Sequence, residues 1–399
     1  MTAGGRGPTL LMLLATAGFV SLASTRVCDG MLPALAQDFA TTTTEAAAAI
    51  SAYAVAYGLM QLVYGPIGDR YGKARVIMLA TAWCALSTLA AAAARSLDAL
   101  VWARAAMGAG TAAIVPLSVA WIGDTVPLAQ RQQVLARYSG VTVFGLMLGP
   151  LVGGFLSDAW NWRAAFVLLA ALFAAVTAAL WLSTRRATDA RRGEDAAPAR
   201  LPYLRQLRTL LADRWARRVM AASCVEAGLG IGCLAFVPTV LHTRFGLSLL
   251  ESGAVAAAFG LGGFAFTRTA APLLRRLRPT AMPLVAGGAL AAAFGMLALM
   301  PRWEWGAAGC VLGGFGFYMM HNVLNCRPRS SRRAPRVWRF HCFPAPSSSA
   351  RARASCSAHR SWHGLARRSC SPRLRQDFSR WGSGSRAPCD CKRGSVAAR

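Results

Sequence analysis

Charge is what this chain has least of. Only 15% of its 399 residues are Asp, Glu, Lys or Arg, against about 25% in an ordinary soluble domain. Just two of them are lysines, Lys73 and Lys392. Hydrophobic residues make up 55%, so the two or three soluble domains that length alone would suggest are excluded. Metal-ligating residues are also thin. There are five histidines, and six of the 11 cysteines lie at or beyond Cys326. The other five (Cys28, Cys84, Cys224, Cys233, Cys310) are scattered through apolar runs without metal-ligand spacing and read as small packing residues. Neither a disulfide framework nor a zinc site follows. No nucleophile–base pair or phosphate-cradling loop marks an enzyme, and no cofactor is expected.

The formal net charge of +28 would suggest a nucleic-acid partner if it were spread evenly. It is not. From Arg327 onward, 17 Arg and one Lys stand against Asp377 and Asp390, a net of +16. The bias towards Arg, Ala and Gly over Lys is that of a GC-rich genome.

What the chain does have is apolar runs of about 20 residues, the length that crosses a bilayer. Ten are expected, over 9–31, 46–66, 76–94, 100–122, 138–157, 164–182, 219–241, 252–272, 281–300 and 305–324. They divide the chain into a six-helix bundle at 1–182, a polar connector at 183–218 with ten Arg, an incomplete bundle of four helices at 219–325 and a basic tail at 326–399. Cations collect in alternate loops: Arg70, Lys73 and Arg75; Arg131 and Arg137; the connector; then Arg268, Arg275, Arg276 and Arg278. The other loops hold only Arg95, Arg163, Arg244 and Arg302. Positive residues stay on the cytoplasmic side, so the N-terminus is expected inside. The first run also has the make-up of a secretory leader (Arg6, then Leu10 to Val20), but its removal would break the even helix parity.

An internal repeat is visible. Met31-Leu32-Pro33 matches Phe236-Val237-Pro238 at an offset of 205. Tyr57-Gly58-Leu59 matches Phe259-Gly260-Leu261 at 202, and Gly108-Ala109-Gly110 matches Gly314-Phe315-Gly316 at 206. Repeats of half a chain are the mark of secondary transporters.

Between the second and third runs stands Gly65-Pro66-Ile67-Gly68-Asp69-Arg70-Tyr71-Gly72-Lys73-Ala74-Arg75. This stretch resembles the signature loop of the major facilitator superfamily, G-x-x-x-D-R-x-G-R/K-x-x, on Gly65, Asp69, Arg70, Gly72 and Lys73. The fourth run, Arg104 to Ala112, is similar to the family's R-x-x-Q-G-x-G-A-A, with Met107 in place of the glutamine. The fifth carries Gly145, Gly149, Pro150, Gly153 and Gly154, like the G-x-x-x-G-P-x-x-G-G motif of the family's antiporters. Small-residue helix packing with a proline kink accounts for those positions equally well. The resemblance implies an all-α membrane protein of two six-helix bundles with substrate bound between them. It also implies proton coupling at Arg104, and a position for Asp69 facing the start of an eleventh helix. Arg104 is expected in the bundle interior, paired with a carboxylate such as Asp29.

Other polar residues in the runs carry two readings. Arg26 and Asp29 share a helical face, either as an ion pair at the membrane surface or as a cavity pair in which Asp29 takes a proton or a substrate charge. Glu226 carries the same ambiguity; Gln61 and Asn322 are candidate cavity residues, and His321 reads as an interfacial histidine. The expected function is proton-coupled efflux of small amphipathic solutes. An uptake carrier of the same fold and a truncated, non-transporting membrane protein are the alternatives. The expected partners are a small-molecule substrate, protons and the lipid bilayer of a bacterial inner membrane, with no specific nucleic acid, and the chain is expected to be monomeric.

The resemblance stops near residue 324. The repeat puts an eleventh helix at 343–362, yet the chain reads Phe343-Pro344-Ala345-Pro346-Ser347-Ser348-Ser349-Ala350-Arg351-Ala352-Arg353. Each Arg at a bilayer centre costs about 2.5–3.5 kcal/mol. The abrupt change to Arg, Ser, Pro, Cys and Trp is that of an out-of-frame translation beginning close to Asn325. A genuine disordered basic arm touching anionic lipid or nucleic acid electrostatically is the other reading.

Overall fold

The computed structural model describes residues 6–188, 208, 212–276 and 281–325. The tail at 326–399 and most of the connector, 189–207 and 209–211, lie outside the described residues. Twelve helices fill the described part: α1 Arg6–Asp38, α2 Thr43–Ala46, α3 Ala48–Tyr71, α4 Lys73–Ala92, α5 Leu97–Thr125, α6 Leu128–Ala159, α7 Trp162–Thr188, α8 Arg214–Leu234, α9 Val237–Phe245, α10 Leu249–Arg276, α11 Met282–Leu299 and α12 Trp303–Asn325. No strand occurs among the described residues, as hydrocarbon demands of a chain that must satisfy its backbone within each segment. Among the described residues, ten helical stretches are long and apolar enough to cross a membrane. α2 with α3, and α8 with α9, each form one stretch.

The helices outrun the apolar runs read from the sequence. α7 continues through Thr188 and α8 starts at Arg214, so both ends of the expected connector are helical. Prolines mark the two equivalent spans differently. Pro33 sits inside an unbroken α1, whereas Pro238 stands in the first turn of α9 after a break at Ala235 and Phe236. In a first turn the missing N–H costs nothing. Thr42 and Glu45 cap α2 reciprocally, Ser96 caps α5, and Ser248 with Glu251 caps α10. Gly72 alone joins α3 to α4, at φ +87°, a conformation open to glycine and strained for a side chain.

In the first half α1 packs along α6, α3 along α5, and α4 between α5 and α7. In the second, α10 and α11 both pack on α12. The repeat recurs at the level of single contacts. Gly108 of α5 lies against the Tyr53 carbonyl of α3, and Gly314 of α12 against the Phe259 carbonyl of α10. Gly110 lies near the Ala80 carbonyl, and Gly316 near the Ala286 carbonyl. All four pairs stand 206 residues apart, so the equivalent of Phe259 is Tyr53 and not Tyr57. A ring followed by Gly-Leu had drawn the match one helical turn away from the packing.

The halves meet along α6 and α10. Gly154 abuts the Leu249 carbonyl, Gly253 the Pro150 carbonyl, and Gly260 the Met147 side chain. Asp158, at the end of α6, accepts the Leu250 backbone N–H at 2.7 Å. Gly30 of α1 reaches the same Pro150 carbonyl, so three helices converge there.

Candidate functional site

Arg104 is the largest fully buried side chain among the described residues, at 0% exposure two turns into α5. An arginine there persists only if its donors are used. Nη1 donates to the Ser24 carbonyl at 2.9 Å, Nη2 to the Thr25 carbonyl at 3.5 Å and Nε to the Ala49 carbonyl at 3.4 Å. These carbonyls belong to helices and lend their second lone pairs. The guanidinium lies 4.2 Å from the centre of the Tyr53 ring, an attraction worth about 2 kcal/mol when desolvated. Tyr53 Oη in turn lies 2.6 Å from Thr111 Oγ1 and 2.9 Å from Thr25 Oγ1. Met107, where the family pattern has glutamine, puts its sulfur 3.9 Å from Nη1. One arginine thus ties α5 to α1 and α3.

Asp29 is not its partner. Asp29 Oδ2 accepts from Arg26 Nε at 2.5 Å, with the two side chains 3% and 4% exposed. The reading of a surface pair, with Arg26 reaching for the membrane interface, therefore fails. α1 runs on to Asp38 and buries both residues in mid-helix. Arg26 Nη2 is enclosed without an acceptor.

The signature loop closes on a second acid. Lys73, the first residue of α4, donates to Asp69 at 2.8 Å and to Asp124, at the end of α5, at 2.7 Å. Its ammonium holds three helix ends together. Arg70 stacks over Tyr71 at 5.3 Å, and Arg75 is exposed. Gly65 faces open space, whereas a Cβ on Gly68 would meet Leu117 at 2.5 Å; the close approach belongs to Gly68.

Along α6, Gly145, Gly149 and Gly153 recur every four residues and lie against the Phe19, Ala23 and Val27 carbonyls of α1. Gly154 points the other way, into α10. The motif therefore serves two contacts, one within the first half and one between halves. In the second half Glu226 of α8 pairs with His321 of α12 at 3.3 Å. Gln61 is exposed on α3 and Asn322 half-buried on α12. Sequence reasoning passed over Thr25, Tyr53 and Thr111. Thr111 lies seven residues beyond Arg104, two turns along the same face, and that spacing was the available signal.

A family model described as Major Facilitator Superfamily matches residues 14–326. Multidrug resistance protein D of Escherichia coli K12 is 34% identical over 145 residues, 36% of this chain and 37% of that protein. The lincomycin resistance protein of Streptomyces lincolnensis is 30% identical over 176 residues, 44% and 36%. The chain thus spans about a third of the length of these curated relatives. Among solved structures, a bacterial homolog of the human lysosomal transporter Spinster, inward-facing and unoccupied, superposes with a TM-score of 0.64 at 20% identity, covering 81% of this chain and 75% of that one. A D-xylose–proton symporter gives 0.56 at 18% identity, with 80% of each chain covered.

Proposed function

This chain belongs to the major facilitator superfamily, and from that premise we propose that, with its reading frame restored after Asn325, it exports small amphipathic solutes in exchange for protons across a bacterial inner membrane. In this reading the N-terminus lies in the cytoplasm, which the cation-rich loops at Arg70 to Arg75 and Arg131 to Arg137 support, and the working unit is a monomer. Efflux is favoured over uptake by the curated relatives, which are named as drug resistance proteins. The glycine ladder on α6 is in keeping with it.

One observation carries the coupling: a buried acid–base pair, Arg26–Asp29, on the helix whose carbonyls Arg104 grips. A proton delivered to Asp29 leaves Arg26 a buried cation without its counter-charge, at a cost of about 3–5 kcal/mol. Exposure of α1 to the opposite side relieves that cost. Arg104, locked to Ser24 and Thr25, carries the displacement of α1 into α5 and α3. Substrate and proton then compete for one charge state of the same helix. The signature loop, through Lys73 between Asp69 and Asp124, holds the inner ends of three helices and releases them on switching.

Energised everted vesicles holding the frame-restored chain test this reading. Asp29→Asn should abolish substrate accumulation driven by a pH gradient while leaving the protein in the membrane. Unchanged accumulation would remove Asp29 from the cycle. A second reading, a membrane protein that inserts without transporting, is favoured by α3. Val55, Leu59, Leu62 and Val63 are 43–62% exposed on it, along the helix that the resemblance sets against an eleventh.

A further inference from the structure

Between α4 and α7 of the first half runs an apolar cavity of about 580 Å³. The small side chains of Ala82 and Ala178 leave the space, and Leu79, Leu86 and Trp181 stand around it, 56%, 67% and 42% exposed. Thr177 Oγ1 lies 2.9 Å from Thr81 Oγ1 and 2.8 Å from the Phe173 carbonyl oxygen. Thr81 Oγ1 donates in turn to the Met78 carbonyl at 2.8 Å. These hydroxyls are spent within the protein, so what suits the cavity is hydrocarbon.

Its length is that of one leaflet. Leu79, Ala82 and Leu86 follow one face of α4, and Arg75 stands one turn before them on that face. From residue 75 to residue 86 the helix rises about 16 Å, close to half of a hydrocarbon core about 30 Å thick. A partner helix would need a face of the full thickness, whereas a single acyl chain needs one leaflet. Charge completes the match. Of the three signature-loop cations, Lys73 is held by Asp69 and Asp124, and Arg70 lies over Tyr71. Arg75 is exposed and makes no ion pair among the described residues. A guanidinium at the mouth of a hydrocarbon slot suits a phosphate joined to an acyl chain. A zwitterionic headgroup brings a cation of its own, which Arg75 repels; an anionic one brings none.

We propose that the groove between α4 and α7, with Arg75 at its mouth, binds one anionic phospholipid. An acyl chain lies along Leu79 to Leu86, and the headgroup phosphate lies on Arg75. The site stands outside the transport reaction and needs only the bilayer in which a chain of this family sits. It is tested on lipid binding alone, so its failure and a failure of the export reading are told apart.

The probe is phosphatidylglycerol with a diazirine midway along one acyl chain, at trace level in phosphatidylcholine nanodiscs holding the purified 399-residue chain. After illumination, peptide mass spectrometry should find the label on peptides spanning residues 78–86 and 174–181. Far less is expected on α11, although its Leu284 and Leu299 are 78% and 76% exposed. Unlabelled phosphatidylglycerol should displace the probe about fivefold better than phosphatidylethanolamine with the same chains, and Arg75→Gln should erase that preference. Ala178→Phe fills the cavity and should remove the label, while Ala175→Phe, on α7 outside the cavity, should leave it. Even labelling of all exposed helices, equal displacement by the two lipids, or undiminished labelling of Ala178→Phe overturns the proposal. The first two of these are read on the unaltered chain, so they decide even where a variant fails to fold.

Discussion

α1 and α8 begin the two halves, and their surroundings differ sharply. Along α1, Leu14, Val20, Val27, Met31 and Leu35 are all 1% exposed or less, enclosed by α6, α7, α5 and α3. They belong to one continuous core that runs through the whole first half. Along α8, Val225 is 59% exposed and Leu229 63%. The buried side chains of the second half form two small clusters instead. The repeat contacts at Gly108 and Gly110, and at Gly314 and Gly316, show that three of its helices pack as their counterparts do. The difference lies in the fifth position. α6 covers α1 with a ladder of glycines, and no counterpart covers α8 among the described residues. A half-repeat therefore keeps its local helix pairs and loses the enclosure that makes a core.

The strongest way to break this comparison is to remove the arginine at the centre of the first core. Arg104→Ala should cost about 3–5 kcal/mol, since the charged hydrogen bonds to the Ser24, Thr25 and Ala49 carbonyls are lost together with the cation on Tyr53. Thermal unfolding in detergent, followed by tryptophan fluorescence, should show the loss. A variant that melts like the parent would mean that the first half does not depend on that network.

A glycine series sharpens it further. Gly153→Leu drives a side chain into the Val27 carbonyl of α1 and should cost about 1–3 kcal/mol. Gly228→Ala and Gly232→Ala on α8 meet nothing within 4 Å. They should be neutral or stabilise by up to about 1 kcal/mol through helix propensity. The same melting assay decides, and equal costs at the two sites would erase the contrast between enclosed and open helices.

The smallest effect is expected at the signature loop. Lys73→Met removes both ion pairs, Asp69→Asn weakens one, and the half-exposed partners limit the losses to about 1 kcal/mol and less. Both losses should shrink in high salt. Transport by Asp69→Asn in a frame-restored protein should fall by more than its stability does. Unchanged transport would mean that the loop only fastens helix ends.

Much of this was legible in the residues. Hydropathy marks ten spans because hydrocarbon admits few charges, and the loop glycine at 72 follows from a turn one residue long. Arg104 declared itself by its cost. Its partners did not, since backbone carbonyls leave no trace in a sequence, and the nearest acid, Asp29, drew the pairing instead. Asp29 was taken by Arg26, three residues away on the same helix, and the local pair won. The burial of that pair was hidden because the helix end was set at residue 31 and α1 runs seven residues beyond it. Gly154 shares a motif with Gly153, and only the fold separates their directions.

The most direct test of the account uses two chains in a drug-sensitive bacterial host, the 399-residue protein and a version whose reading frame is restored after Asn325. Efflux of a lipophilic dye is followed with and without a proton gradient. The account predicts gradient-dependent efflux from the restored chain, and membrane localisation without efflux from the 399-residue chain, whose first half is enclosed and whose second is open. Equal efflux from both would contradict it.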